Sequence, residues 1–134
     1  MCGLAGFTGP GRDAAFIVRR MTDALAHRGP DGSGEFVDAH IALGHRRLAI
    51  IDLAGGAQPR VDTATGDALI FNGEIYGYQH LAAALRADGV TLRDRSDTEV
   101  LFQMLRRSGV QRTLEQVDGM FAFVFRDGAT GRLF

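Results

Sequence analysis

Apolar and polar positions along this chain switch between a strand-like period of two and a helix-like period of 3.6. Residues 3–8 (Gly-Leu-Ala-Gly-Phe-Thr) read as a short strand, closed by the turn Gly9-Pro10-Gly11. From 13 to 27 the spacing turns helical. Asp13 suits an N-cap, and Phe16, Ile17, Met21, Ala24 and Leu25 share one side, expected to face the core. His27-Arg28-Gly29-Pro30 places cations, then Gly, then Pro at the helix end. Short strands are expected around 34–37, 41–45 and 48–52, and a buried strand at 68–72 (Ala-Leu-Ile-Phe-Asn). A second helix spans 78–87 and stops near Gly89. Ser96-Asp97-Thr98-Glu99 is a capping box before Val100, Leu101, Met104 and Leu105, opening a third helix that ends at Gly109. A shorter helix is expected over 112–117. Met120 to Arg126 alternates only in part and reads as a strand buried on both faces, followed by the hairpin turn Asp127-Gly128-Ala129-Thr130-Gly131. Only about three residues of a returning strand precede Phe134, short for a strand. The expectation is one domain over 1–134 whose C-terminal portion is missing.

Composition narrows the field. The 134 residues are 46% hydrophobic and 23% charged, enough for a core. A net charge of −1 gives no footprint for nucleic acid or an anionic membrane. All 15 basic residues are Arg, which carries no functional reading. A single Cys excludes an internal disulfide framework and suits a reducing compartment. No signal peptide and no 18-residue apolar run is visible, so a soluble cytoplasmic protein is expected. His27, His40, His45 and His80 show no metal-ligand spacing, and each is expected to be structural or surface-exposed.

The lone cysteine stands at position 2. A lone Cys is usually a small buried hydrophobe. If Met1 is removed, however, Cys2 carries both a thiol and a free α-amine. An unperturbed α-amine titrates at about 7.7–8.0, so it can act as a base near neutral pH.

Four other segments have ordinary explanations when taken singly. His27-Arg28-Gly29-Pro30-Asp31 can be a helix end, and Arg47 in Gly44-His45-Arg46-Arg47-Leu48-Ala49-Ile50-Ile51-Asp52 a surface cation. Asn72-Gly73 in Phe71-Asn72-Gly73-Glu74-Ile75-Tyr76 is a strong hairpin-turn signal. Asp97 can be a helix-N-terminal carboxylate. Together, in this order after Met-Cys-Gly, they resemble the class II glutamine amidotransferases, whose glutaminase domain is an N-terminal-nucleophile hydrolase. The resemblance is greatest to the glutamine-hydrolysing asparagine synthetases. Their Arg-Leu-x-Ile-(Ile/Val)-Asp, Gly-x-Gln-Pro and Asn-Gly-Glu-Ile-Tyr patterns match residues 47–52, 56–59 and 72–76, and Gly119-Met120-Phe121-Ala122-Phe123 resembles their late strand.

The resemblance implies an α+β fold, an αββα sandwich of two antiparallel sheets between helices, with the helices at 13–27 and 97–108 on one or both outer faces. It implies hydrolysis of L-glutamine by Cys2 as nucleophile, with its own α-amine as base and Asn72 and Gly73 as the oxyanion hole. Arg47 would grip the substrate α-carboxylate, and Asp97 and Glu74 would lie near its α-ammonium. Leu48 and Ile51 would line the same pocket with Asn72 and Gly73. Arg46 stands beside Arg47. The sequence does not say which of the two points inward, although the family pattern matches Arg47. Glycines 3, 6 and 73 are expected to let backbone approach substrate, and Arg28 to Asp31 to brace the site. No cofactor is expected in this chain. ATP and magnesium would belong to an ammonia-accepting synthetase domain that amidates aspartate and is missing here. No nucleic-acid or membrane partner is implied, and a homodimer is compatible with the family. Two alternatives stay open: a truncated, non-catalytic glutamine-binding or partner-dependent module, and an amidotransferase for another acceptor in secondary metabolism.

Overall fold

The computed structural model describes residues 2–50, 52 and 55–134. Strand β1 (Gly3–Thr8) is followed by helix α1 (Ala14–Ala24) and a 3-10 turn (Ala26–Arg28), then by β2 (Gly32–Val37) and β3 (Ile41–Arg47). After a loop come β4 (Arg60–Asp62), β5 (Asp67–Ile75), helices α2 (Tyr78–Ala87) and α3 (Asp97–Leu114), and β6 (Gly119–Arg126). Two three-stranded antiparallel sheets result, ordered β1-β3-β2 and β4-β5-β6.

Strand parity explains the layering. Ile41 and Leu43 of β3, with Leu4 and Phe36, meet Ala68, Ile70, Val61 and Val124 of the other sheet, forming the seam between the sheets. The alternate residues face outward. Ala42 packs with Phe7 against Ala14 and Val18 of α1. Leu69, Phe71 and Phe125 pack against Leu101, Phe102 and Leu105 of α3. Helix α2 lies on α3 through Ala82, Leu85, Val100 and Met104. The order of layers is therefore helix, sheet, sheet, helices, as the family resemblance implies.

Several expectations need correction. Phe16, Ile17 and Met21 of α1 are 63%, 44% and 36% exposed, whereas Ala14, Val18 and Thr22 are buried. The reason is steric. A Cβ at Gly44 of β3 would lie 2.0 Å from Thr22 Oγ1, so only the small-residue stripe can sit this close to the sheet. The helix also stops at Ala24 rather than 27, and Asp13 makes no side-chain cap hydrogen bond.

Of the strand expected at 48–52, residues 48–50 and 52 are loop. Asn72-Gly73 is no hairpin turn. It lies inside β5, paired with Ala122 and Phe121 of β6, because burial on the α3 side carries the strand on to Ile75. Gly109 (φ 76°, ψ 167°) does break the third helix, but helical turns resume directly to Leu114. In the capping box, Ser96 Oγ accepts from the Glu99 N–H at 3.1 Å, but Glu99 does not reciprocate. Its carboxylate accepts from Gln103 at 2.8 Å and pairs with Arg60 at 3.2 Å. Strand β6 is not buried on both faces, since Met120 is 72% exposed. Beyond the 127–131 turn, Phe134 exchanges two 3.0 Å backbone hydrogen bonds with Phe125.

Candidate active site

Cys2 stands one residue before β1, on the same parity as Leu4, so its side chain looks into the gap between the sheets rather than toward α1. The Leu48 N–H approaches Cys2 Sγ at 3.4 Å, and the Leu48 carbonyl lies 3.8 Å from the same sulfur. Arg28 Nε donates to the Cys2 carbonyl at 3.2 Å. Thus the end of β3 holds the thiol from one side and the turn after α1 holds its backbone from the other.

The braces around this corner come from the segment after the helix. The Asp31 N–H donates to the Arg47 carbonyl at 3.0 Å, and Asp31 Oδ2 accepts from the Ala49 N–H at 2.8 Å. Gly29 lies against the Arg46–Arg47 peptide, where a Cβ would come within 2.4 Å of the Arg46 carbonyl carbon. This matches the bracing expected of Arg28 to Asp31. Parity also separates the two arginines. Arg46 points toward α1, donating to the Thr22 carbonyl at 3.1 Å and to Asp23 at 2.5 Å. Arg47 lines the cavity and donates to the Asp52 carbonyl at 2.6 Å.

The cavity has a volume of about 500 Å³, and Cys2, Arg47, Leu48, Asn72, Gly73, Glu74 and Asp97 all line it. Its lining also includes Gln58, Thr98 and Met120. Ile51 lies outside the described residues. Asn72 and Gly73 come from β5, on the strand facing β6. A Cβ on Gly73 would lie 2.4 Å from the Met120 carbonyl oxygen, so the contact with β6 by itself requires glycine there. Among the described residues the Asn72 side-chain amide makes no hydrogen bond. Gly3 and Gly6 need correction. Cβ atoms there would meet Leu25 at 2.9 Å and the Ala42 carbonyl at 2.8 Å, so both serve packing rather than substrate approach.

Asp97 opens α3 and is only 4% exposed. Its Oδ1 accepts from the Thr98 N–H at 2.8 Å and its Oδ2 from the Ile75 N–H at 3.2 Å. Among the described residues no cation pairs with it. Burial pushes its carboxyl above the ordinary range, and the charge of Glu74 pushes the same way, against those backbone donors. Two neighbouring carboxylates facing one cavity favour a cationic group between them.

His45 is fully buried one strand step from this corner, and its Nε2 donates to the Phe71 carbonyl at 3.1 Å. That bond joins β3 to β5 next to Asn72. Burial lowers its pKa to about 4, with the Arg47 charge acting in the same direction and the Phe71 bond opposing, so the ring is neutral near pH 7. Gln58 was visible in the sequence only as part of Gly-x-Gln-Pro. In the fold its Oε1 accepts from the Phe71 N–H at 2.6 Å and its amide reaches Thr98 Oγ1 at 3.4 Å. Sequence reasoning assigned no role to Gln58, Thr98 or Asp94. The contacts of Gln58 with Phe71 and Thr98, and of Asp94 with Gly56, span 13 to 40 residues, beyond any local pattern.

Residues 1–134 match the family model of the glutamine amidotransferase domain. The chain belongs to that family. Asparagine synthetase [glutamine-hydrolyzing] 1 of Bacillus subtilis is 39% identical over 92% of this chain, a stretch covering 20% of that protein. Amidase chry2 of Gibberella zeae is 37% identical over 95% of this chain and 21% of its own length. This amidotransferase domain therefore spans about a fifth of the length of the curated relatives it matches. Among solved structures, glutamine phosphoribosylpyrophosphate amidotransferase of B. subtilis superposes with a TM-score of 0.75 at 23% identity, over 96% of this chain and 35% of that one. That likeness shows the fold, two antiparallel sheets layered between helices. Among the described residues no helix is long and apolar enough to cross a membrane.

Proposed function

We propose that residues 1–134 work as the glutaminase part of a longer amidotransferase, hydrolysing L-glutamine to glutamate and ammonia through a thioester on Cys2. The observation that carries this reading is the convergence of Cys2, Asn72, Gly73, Arg47 and Asp97 on one cavity. With Met1 removed, the Cys2 α-amine takes the thiol proton as Sγ attacks the side-chain carbonyl carbon of glutamine. The tetrahedral oxyanion is met by the Asn72 side-chain amide and the Gly73 N–H. Collapse breaks the carbon–nitrogen bond, and the protonated amine gives its proton to the departing ammonia. Water then attacks the thioester and releases glutamate with a free thiol.

Recognition of the free amino acid falls to the opposite wall. Arg47 takes the α-carboxylate, which a guanidinium can grip through two parallel hydrogen bonds. Asp97 and Glu74 take the α-ammonium, and Leu48 lines the same pocket. Ile51 belongs to this set by family resemblance alone. The α-ammonium supplies the cation that the Asp97 carboxylate otherwise lacks among the described residues. A cavity of about 500 Å³ accommodates a free amino acid.

The ammonia serves an ATP-dependent synthetase domain that amidates aspartate. ATP and magnesium bind in that domain rather than on residues 1–134, which carry no cofactor. The site takes neither nucleic acid nor membrane, the setting is the cytoplasm, and homodimers are compatible with the family. A second reading, with the same site feeding a different acceptor, is favoured by one observation. The match to a protein called an amidase, at 37% identity, is nearly as strong as the 39% match to a synthetase.

The test is covalent labelling with a glutamine analogue carrying a diazoketone in place of the carboxamide. Removal of Met1 and one adduct on Cys2, blocked by excess glutamine, are expected. Retained Met1, or no adduct on a folded chain, would point to a non-catalytic module. If glutamine protection disappears in Asp97→Ala but survives in Arg47→Ala, the assignment of the clamp is wrong.

A further inference from the structure

Two carboxylates with no role in this chemistry tie the loop after β3 to the segment before α3. Asp52 accepts from the Gly55 N–H at 3.0 Å through Oδ1 and from the Arg95 N–H at 2.9 Å through Oδ2. Asp94 reaches the other way. Its Oδ2 accepts from the Gly56 N–H at 3.0 Å and pairs with Arg60, while its Oδ1 accepts from the Ser96 N–H at 2.9 Å and Ser96 Oγ at 2.7 Å. Asp94 and Arg60 side chains are each 11% exposed, and Glu99, fully buried, holds Arg60 from behind at 3.2 Å.

The two ends of the Asp94 bridge are the neighbours of the clamp. Buried Gly56 lies against Arg47, where a Cβ would come 3.1 Å from the guanidinium NH2, and Ser96 directly precedes Asp97. A single carboxylate therefore spans from the group beside one half of the clamp to the residue before the other half. We propose that Asp94 is a positioning residue that fixes the spacing between Arg47 and Asp97. It thereby sets how tightly the site holds an α-amino acid, without touching the substrate. The inference rests on the glutaminase reading above.

Asp94→Asn separates this role from simple folding. The asparagine oxygen can still face Ser96, but its amide then turns a donor toward two donors, the Gly56 N–H and Arg60. Asp94→Glu keeps the charge beside Arg60 and lengthens the arm by one methylene. The measurement is the rate of Cys2 labelling against concentration of the diazoketone analogue, beside labelling by iodoacetamide, which needs no clamp. In Asp94→Asn the half-saturating concentration is expected to rise about tenfold, with the maximal rate changed by less than about twofold. Iodoacetamide reactivity should not change. Asp94→Glu should show the same split at about threefold. If Asp94→Asn does not fold, Asp94→Glu decides alone. Unchanged half-saturation in the folded variants overturns the positioning role, as does a fall in maximal rate matched by iodoacetamide. A wild-type chain that the analogue never labels, while iodoacetamide does, refutes the glutaminase reading and this inference with it.

Discussion

The cavity has two unlike walls. One is made of strand: Cys2 ahead of β1, and Asn72 and Gly73 inside β5, held in register by β6 and joined to β3 by His45. The other is made mostly of loop and helix end: Arg47 at the end of β3 with Leu48, Ile50, Gly56 and Gln58 on one side and Ser96 to Thr98 on the other, fastened by carboxylates of Asp31, Asp52 and Asp94. The atoms proposed to make and break bonds sit on the first wall, and most groups proposed to recognise the amino acid on the second. A sheet register leaves little freedom, which suits a thiol and an oxyanion hole that must meet within a fraction of an ångström. Loops closed by charge-assisted hydrogen bonds suit a clamp that must admit and release a ligand.

Removing a group from the strand wall should reduce rate. Asn72→Ala is expected to slow thioester formation by roughly a hundredfold or more, with little change in glutamine protection. Single-turnover labelling reads this. A large loss of protection with an unchanged maximal rate would merge the two walls into one.

The walls should also respond to acid in different windows. His45 has its pKa lowered to about 4, so as pH falls below 6.5 the unfolded chain takes up a proton that the folded one refuses. Stability is lost between those values, by about 3 kcal/mol in all. At Asp94 burial alone would raise the pKa, but hydrogen bonds from Ser96 and Gly56 and the Arg60 pair hold it at about 2. Its contribution is present above the unfolded value of 3.8 and is lost only as pH falls toward 2. Denaturant unfolding across pH should show the upper window vanish in His45→Gln and the lower one persist.

A smaller effect belongs to Asp97, whose carboxyl holds its proton more firmly than usual. Binding an ammonium favours the ionised form. Glutamine protection should therefore weaken as pH falls through the raised pKa, by about tenfold per unit at most. In Asp97→Asn that dependence should flatten and the overall affinity drop.

Legibility in the sequence follows the same division. Helix α2, strand β1, the break at Gly109 and the Ser96 cap were readable because local signals specify them. The residues of the strand wall stand out in the sequence as motif members and share one cavity in the fold, yet Asn72-Gly73 reads locally as a turn. Only its pairing with Phe121 and Ala122 makes it strand. The exposed Phe16–Met21 stripe misled for a comparable reason. Amphipathic spacing gives the apolar face of α1, but the approach distance at Gly44 decides which face the sheet admits. The carboxylate fastenings of the loop wall could not be read at all. The Asp52–Arg95 and Asp94–Gly56 contacts span 43 and 38 residues, and no periodicity links those positions.

The most direct test of the central claim is intact mass after treatment with the diazoketone analogue, in wild type and Cys2→Ala. The account predicts a chain without Met1 bearing one adduct, protected by glutamine, and none on Cys2→Ala. An adduct count unchanged in Cys2→Ala, or labelling indifferent to glutamine, would contradict it.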